Sequence, residues 1–431
     1  MQLTVDTEKL AEGWVKKSLA DLIKISHGYA FKGADFEKSD DITKPIVLTP
    51  GNYSESGELY FTSQNTKRLT GSVPPSGYLF DVGELTVVMT DLSSKMKILG
   101  KPAFINQPNI LHNQRIGRIY FKDKSIVPQF LYYFFRTRVF ADKIKETATG
   151  TMVRHTAPNR ILANKICVPP ILEQKRIVAI LDEAFEGIDR AIANTEKNLA
   201  NARELFESYL NTIFTQEDNE WEWVSLSEIT TDITDGDHQA PPKSEFGIPF
   251  ITISNINKQN RQVDFSNTFK VPHEYFEKIK INRKPRKGDL LYTVTGSYGI
   301  PVIVDYDIDF CFQRHIGLIR PNSETNSKCL YYILLSRYLL NQADKCATGA
   351  AQKTVSLSGL RRFSVPKIPK QKQEIIVAKL DNLLEQITRL ETIYSKKIAA
   401  LNELKQSILQ KAFTGELTAD TSKTVKEKIA A

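Results

Sequence analysis

The sequence predicts an α+β fold written twice: two mixed, strand-rich globules separated by two long antiparallel helices, with an internal pseudo-two-fold repeat. The first observation behind this is duplication. Leu131-Tyr132-Tyr133 recurs as Leu330-Tyr331-Tyr332, Ala148-Thr149-Gly150 as Ala347-Thr348-Gly349, Val178-Ala179-Ile180-Leu181-Asp182 as Val377-Ala378-Lys379-Leu380-Asp381, and Phe214-Thr215 as Phe413-Thr414, each pair 199 residues apart. Looser matches lie upstream. Trp14-x-x-x-Ser18-Leu19-x-Asp21-Leu22 answers Trp221-x-x-x-Ser225-Leu226-x-Glu228-Ile229, and Gln114-Arg115-Ile116-Gly117 answers Gln313-Arg314-His315-Ile316-Gly317. The second observation is a change of period within each copy, from short β-like runs between Gly, Pro and Asn clusters to a long helical stripe. The third is the length of that stripe: helices of about 40 residues are about 60 Å long and cannot leave an apolar face in water. The two stripes are therefore expected to bury each other as a coiled-coil-like pair.

In the first copy Lys44-Pro45-Ile46-Val47-Leu48-Thr49 and Leu85-Thr86-Val87-Val88-Met89-Thr90 read as strands, and in the second Ile248-Pro249-Phe250-Ile251-Thr252-Ile253 and Asp289-Leu290-Leu291-Tyr292-Thr293-Val294. A small helix is expected from Pro128 to Lys145 and again from Lys328 to Lys345. After Val168-Pro169-Pro170 the first long helix runs from Glu173 to Phe214, with Val178, Leu181, Phe185, Ile188, Ile192, Leu199, Phe206 and Ile213 on its stripe. The second runs from Gln371 to Ala412, with Leu383, Ile387, Leu390, Tyr394, Leu401, Leu404 and Ile408 on its stripe and Gly415 as its C-terminal cap. The short link from Gln216 to Trp221 leads straight into the second globule, so the second helix must return. Antiparallel helices would then set the globules at opposite ends of a spacer. The expected boundaries are 1–170 and 217–368 for the globules, 171–216 and 369–415 for the helices, and 416–431 for a C-terminal tail.

Apolar content of 41% and charged content of 25% are those of a globular protein. No run approaches the ~18 apolar residues of a membrane span, and Met1-Gln2-Leu3-Thr4-Val5-Asp6 lacks a signal-peptide layout. The expectation is a cytoplasmic protein with no membrane partner. Cys167, Cys311, Cys329 and Cys346 have no paired short spacing, so buried reduced thiols are expected rather than a zinc cluster. A formal charge of +8 and a pI near 9.0 point mildly toward a polyanion.

Missing motifs narrow the chemistry. The Gly-Lys pair Gly100-Lys101 is followed by Pro102, which is no phosphate-binding loop. The Pro-Pro pairs follow Val73, Val168 and Ala240, not the Asn or Asp of an amino-methyltransferase motif. Glu173-x-Lys175 and Glu403-x-Lys405 have the form of a nuclease half-motif but lack a preceding Pro-Asp, and read as solvated helix charges. No His-Glu-x-x-His or His-x-Glu arrangement offers a metal site. Neither a catalytic residue nor a bound cofactor or metal is expected.

What remains suits nucleic acid. Ser93, Ser94, Lys95 and Lys97 in Thr90–Lys97, and Thr295, Ser297 and Tyr298 in Thr293–Gly299, sit where strands open into polar loops. They are candidates for phosphate or base-edge contact, or they are ordinary solvated loop residues. Arg115 and Arg314 follow glutamines, pairing the groups that read adenine and guanine. Because both copies hold the doublet, a shared structural role is the favoured reading. The segments Ser26–Lys32, with His27, Tyr29 and Lys32, and Asp235–Lys243, with His238, Gln239 and Lys243, differ between copies and are better candidates for specificity. Arg154 and Lys353 close matched Gly-rich turns that could hold phosphate, or that shape the next strand.

These residues also carry a family likeness. Thr149-Gly150-x-x-x-Arg154 and Thr348-Gly349-x-x-x-Lys353, then Val168-Pro169 and Val365-Pro366, then Gln174-x-x-Ile177-Val178-x-x-Leu181-Asp182 and Gln373-x-x-Ile376-Val377-x-x-Leu380-Asp381 opening the long helices, resemble the specificity subunit of type I restriction–modification enzymes. The segment from Leu404 to Leu417 resembles that family's terminus, and the likeness spans Gly13 to Leu417. Arg154 in place of the usual Lys, and Glu207-Ser208-Tyr209-Leu210 in place of a basic helix end, are departures. The resemblance implies a non-catalytic subunit with two target-recognition domains, each binding half of an asymmetric, interrupted sequence in double-stranded DNA. It implies two modification subunits, docked on the helices and supplying S-adenosylmethionine-dependent adenine methylation, and restriction subunits using ATP and Mg for translocation and cleavage. The alternatives are a stand-alone two-headed sequence-specific DNA-binding protein and, more remotely, a fused methyltransferase or nuclease.

Overall fold

The structure, a computed structural model, describes residues 12–70, 76–215, 221–350 and 352–419. Val73, the link from Gln216 to Glu220, Ala351, the N-terminal Met1–Asp6 and the tail beyond Ala419 lie outside the described residues. The chain forms two compact units, Met1–Asn194 with Lys397–Ala431, and Thr195–Lys396.

In the first unit a four-stranded antiparallel sheet runs in the order Ile23–His27, Ile116–Phe121, Leu85–Val88, Pro102–Phe104. Alternation along Leu85–Val88 splits its side chains between two cores. Leu85 and Val87 join Phe130, Leu131, Phe135, Phe140, Ile177, Leu181 and Leu409, while Val88 joins Ile46, Leu48, Phe80 and Ile110 on the other face. A sheet covered on both faces needs a continuous apolar run, which is what made this strand legible. The run at Lys44–Thr49 yields only the strand Ile46–Val47, because Thr49 turns away to bond Asn52 through both its N–H and its hydroxyl.

The second unit repeats this plan with Thr230–Asp235, Ile316–Pro321, Leu290–Thr293 and Pro301–Ile303 in the same order. Leu290 and Tyr292 face Leu330, Tyr332 and Leu360, whereas Leu291 faces Ile251, Val302 and Phe310.

Each expected small helix is two. Pro128–Phe135 stops before Arg138–Glu146 because the Thr137 hydroxyl accepts the Phe140 N–H, and Ser327–Leu335 stops before Arg337–Cys346 because Ser336 does the same for Leu339.

The long helices are Ile171–Thr215 and Lys370–Thr414, and Gly415, with φ +82°, takes the left-handed turn that ends the second. In the first unit Lys405 pairs with Asp189 and lies 5.2 Å over the Phe185 ring; in the second unit Arg203 meets Glu391 at 2.6 Å. The start of each long helix thus packs beside the end of the other, and they run antiparallel. Leu390 and Leu404, expected on the stripe, are 38% and 47% exposed, while Lys405, expected in solvent, is 7% exposed. Its long aliphatic stem covers apolar surface while its ammonium finds Asp189.

Two buried glutamines fasten the helices to their globules. The Gln174 side chain accepts the Val127 N–H at 2.8 Å and donates to the Ser125 and Pro169 carbonyls, and Gln373 repeats this with Asn326, Glu324 and Ile368. One turn pair further on, Tyr133 donates to Asp182 and Tyr332 to Asp381, both at 2.5 Å. Cys311 and Cys329 are buried free thiols pushed up to about 12 by burial, but Cys167 and Cys346 are only half-buried. Among the described residues no helix is long and apolar enough to cross a membrane.

Candidate nucleic-acid interface

Four segments converge at one end of each central sheet, and glycine makes the first convergence possible. A Cβ on Gly28 would sit 2.3 Å from the His112 carbonyl oxygen, and one on Gly236 would sit 1.9 Å from that of Phe312. Only a bare backbone crosses there. The crossing bridges Tyr29 to Asn113 and Asp237 to Gln313.

The turn that follows is pinned identically in both units. The N–H of Gln114 donates to the Tyr29 carbonyl at 3.0 Å and that of Arg314 to the Asp237 carbonyl at 3.1 Å; Met89 donates to the Arg115 carbonyl at 2.9 Å and Val294 to that of His315 at 3.0 Å. Asn113-Gln114-Arg115 therefore corresponds to Gln313-Arg314-His315. Matching the two Gln-Arg doublets by letter is one residue out of register, and the shared structural role inferred from that match falls with it.

The last segment is the hairpin after each Thr-Gly turn. Thr149 bridges His155 and Thr348 bridges Thr354, while Thr156 and Val355 donate to the Met89 and Val294 carbonyls. His155 Nδ1 consequently lies 3.1 Å from the Thr90 hydroxyl, and the Thr354 hydroxyl lies 3.4 Å from that of Thr295. In the second unit these segments line an open cleft with Asp235, His238, Thr295, Arg314, His315, Gln352 and Thr354 on its walls. Asp235 is held by Arg283 at 3.2 Å and His238 at 2.7 Å.

The expected site residues divide by environment. His27 and Arg115 are exposed at the convergence; the His27 ring meets the Gln114 carbonyl at 3.4 Å and the Arg115 N–H is fixed by Asn113 at 3.0 Å. Arg154 is half-buried and donates to the Gly150 carbonyl at 2.7 Å, and Lys353 is exposed beside Gly296, whose N–H its carbonyl accepts. Ser93, Ser94 and Lys95 are exposed on a loop anchored by the Asp91 carboxylate, which accepts the N–H groups of Ser93 and Ile98. Lys97 is tied to Glu55 at 2.6 Å. Lys32 and Gln239 are exposed, and Lys243 lies 5.3 Å over the Phe269 ring. Tyr29 packs edge-on against Phe31 and Tyr78, Thr295 is buried, Ser297 accepts from Lys258 at 2.6 Å, and Tyr298 donates to Asp344 at 2.8 Å. Among them His238, Thr295 and Arg314 line the cleft; Gln239, Lys243, Ser297 and Tyr298 are not on its walls. Sequence reasoning missed Asp235, His315, Gln352 and Thr354, together with His155 in the first unit. Gln352, Thr354 and His155 had only a fixed offset from the Thr-Gly turn as signal, which says nothing about which strand the hairpin meets; Asp235 and His315 lay inside segments already singled out, with nothing to mark them there.

Comparison with known proteins places this architecture. Residues 11–200, and again 219–400, match the type I restriction modification DNA specificity domain. The specificity subunit of the type I restriction enzyme EcoBI from Escherichia coli is 24% identical across 95% of this chain and 87% of its own length, and that of EcoKI from Escherichia coli strain K12 is 22% identical across 95% and 90%. A chain solved in work on complex assembly and conformational transition of the type I R-M system superposes with a TM-score of 0.72 at 20% identity, covering 95% of this chain and 100% of its own. The HsdS subunit from Thermoanaerobacter tengcongensis gives 0.54 at 20% identity over 95% and 99%.

Two copies of one reading globule on paired antiparallel helices define a duplicated recognition scaffold. The chain belongs to the type I restriction modification DNA specificity family: it is a sequence-recognition subunit with two recognition domains, and supplies specificity rather than catalysis.

Proposed function

We propose that this chain reads an asymmetric, interrupted sequence in double-stranded DNA, one half-site per unit, and that two modification subunits dock on it and bring in restriction subunits. The observation that carries this is the convergence built twice on the same backbone hydrogen bonds with different side chains on top. A common frame with varied groups suits one type of ligand in two versions. S-adenosylmethionine, ATP and Mg belong to the partner subunits in this reading, and the assembly works in the cytoplasm, where the DNA is. The loop cations Lys95, Arg154 and Lys353 serve the phosphate backbone, which orients a reader without specifying sequence.

A stand-alone two-headed DNA-binding protein would share these convergences but need no partner. Affinity for genomic duplexes, measured with and without the modification subunit across a salt series, separates the two. The proposal expects specific affinity to rise strongly when the partner is present, above a salt-sensitive background. Equal specific affinity without it would favour the stand-alone reader.

A further inference from the structure

We propose that Gln114 and Arg314 are the same base-reading position in the two units, with Gln114 reading an adenine in one half-site and Arg314 a guanine in the other. The assignment rests on the two-half-site reading above and adds which residues discriminate and between which bases.

The equivalence comes from backbone hydrogen bonds, since both residues donate their N–H to the carbonyl just beyond the crossing glycine, Tyr29 in one unit and Asp237 in the other. Both turns are held on either side, Ile116 bonding the Asn113 carbonyl and Ile316 that of Gln313. Both side chains are exposed. Neither shows a side-chain hydrogen bond or ion pair among the described residues, in contrast to Arg118 and Arg320, which are locked to Glu84 and Asp289. A rigid backbone presenting an uncommitted side chain is the arrangement a reader needs. The chemistry at this position changes between units from a carboxamide to a guanidinium. These groups make paired hydrogen bonds to adenine N6/N7 and to guanine O6/N7 in the major groove. Two neighbouring positions keep their chemistry, Thr90 matching Thr295 and the cation Arg154 matching Lys353, while others differ, Arg115 standing where His315 stands and His155 where Thr354 stands. Phosphate contacts are common to both half-sites and should be kept, whereas base contacts should differ.

The test uses the full chain with its modification subunit and a pool of duplexes randomised in both half-sites, sequenced after binding. Gln114→Arg is expected to switch one position of one half-site from adenine to guanine, and Arg314→Gln to switch one position of the other from guanine to adenine. Each should change the base preference by about ten- to a hundred-fold and leave the opposite half-site and the gap unchanged. Arg314→Lys, which keeps the charge but not the fork, should relax that position. An unchanged preferred sequence in Gln114→Arg or Arg314→Gln would overturn the assignment, and uniformly weaker binding in Arg314→Gln would mean a phosphate contact instead. If the unaltered chain enriches no two-part sequence, the two-half-site reading itself fails and this assignment with it.

Discussion

At the scale of single residues, identity and position part company. The Gln-Arg doublet occurs in both copies, yet backbone hydrogen bonds align Gln114 with Arg314 and Arg115 with His315. Matching letters could not show this, because the shift is set by which carbonyl meets which N–H across the crossing. The buried ion pairs show the same divergence: Glu84 and Asp289 open equivalent strands, but Arg118 pairs across from Ser26 and Thr86 while Arg320 pairs across from Asp232. His112 is a residue no sequence pattern singled out. It is buried under Tyr78 and Phe80, its Nε2 lies 2.8 Å from the Ile116 carbonyl, and burial pushes it down to about 4. Below its ordinary value of 6.5 the unfolded chain takes up a proton that the fold refuses, so stability is lost as pH falls from about 6.5 toward 4. Chemical denaturation at pH 6.5 and 4.5 should show the parent chain losing about 2 kcal/mol more than a His112→Asn variant over that window. Equal losses would mean that His112 titrates normally in the fold.

At the scale of elements, the long helices were legible to within a few residues, because a stripe sustained over many turns admits no other structure. What lay between was less so. The broken small helices hinge on single hydroxyls, Thr137 and Ser336, whose capping role depends on the next turn forming. The exchange of Leu404 for Lys405 at the helix contact depends on Asp189, far away in sequence. The buried glutamines are the strongest element-level device, each spanning three backbone groups at the junction of globule and helix. Replacing Gln174 with Leu would orphan the Val127 N–H and the Ser125 and Pro169 carbonyls, at about 1–3 kcal/mol for each group left dry. Faster hydrogen exchange near Val127, with the second unit unaffected, is the expected signature. Unaltered exchange would assign Gln174 no fastening role.

At the scale of the whole molecule, the duplicated architecture was the most legible property and the recognised sequence the least. Duplication is visible in the letters themselves, whereas base contacts depend on loops whose side chains differ between units. The helices give a further prediction if they set the gap between half-sites. Inserting four residues near Asn198 lengthens the first helix by about 6 Å, comparable with about two base-pair steps of ~3.4 Å. The recognised gap should lengthen while both half-sequences stay the same; an altered half-sequence with an unchanged gap would count against a ruler. That this chain dictates a two-part DNA target for a partner methyltransferase can be measured by long-read methylation sequencing. The comparison is a host expressing the chain with its modification subunit against the same host expressing that subunit alone. A new interrupted motif with methylated adenines, present only with this chain, is the predicted result. A soluble, co-purifying complex that adds no methylation would contradict it.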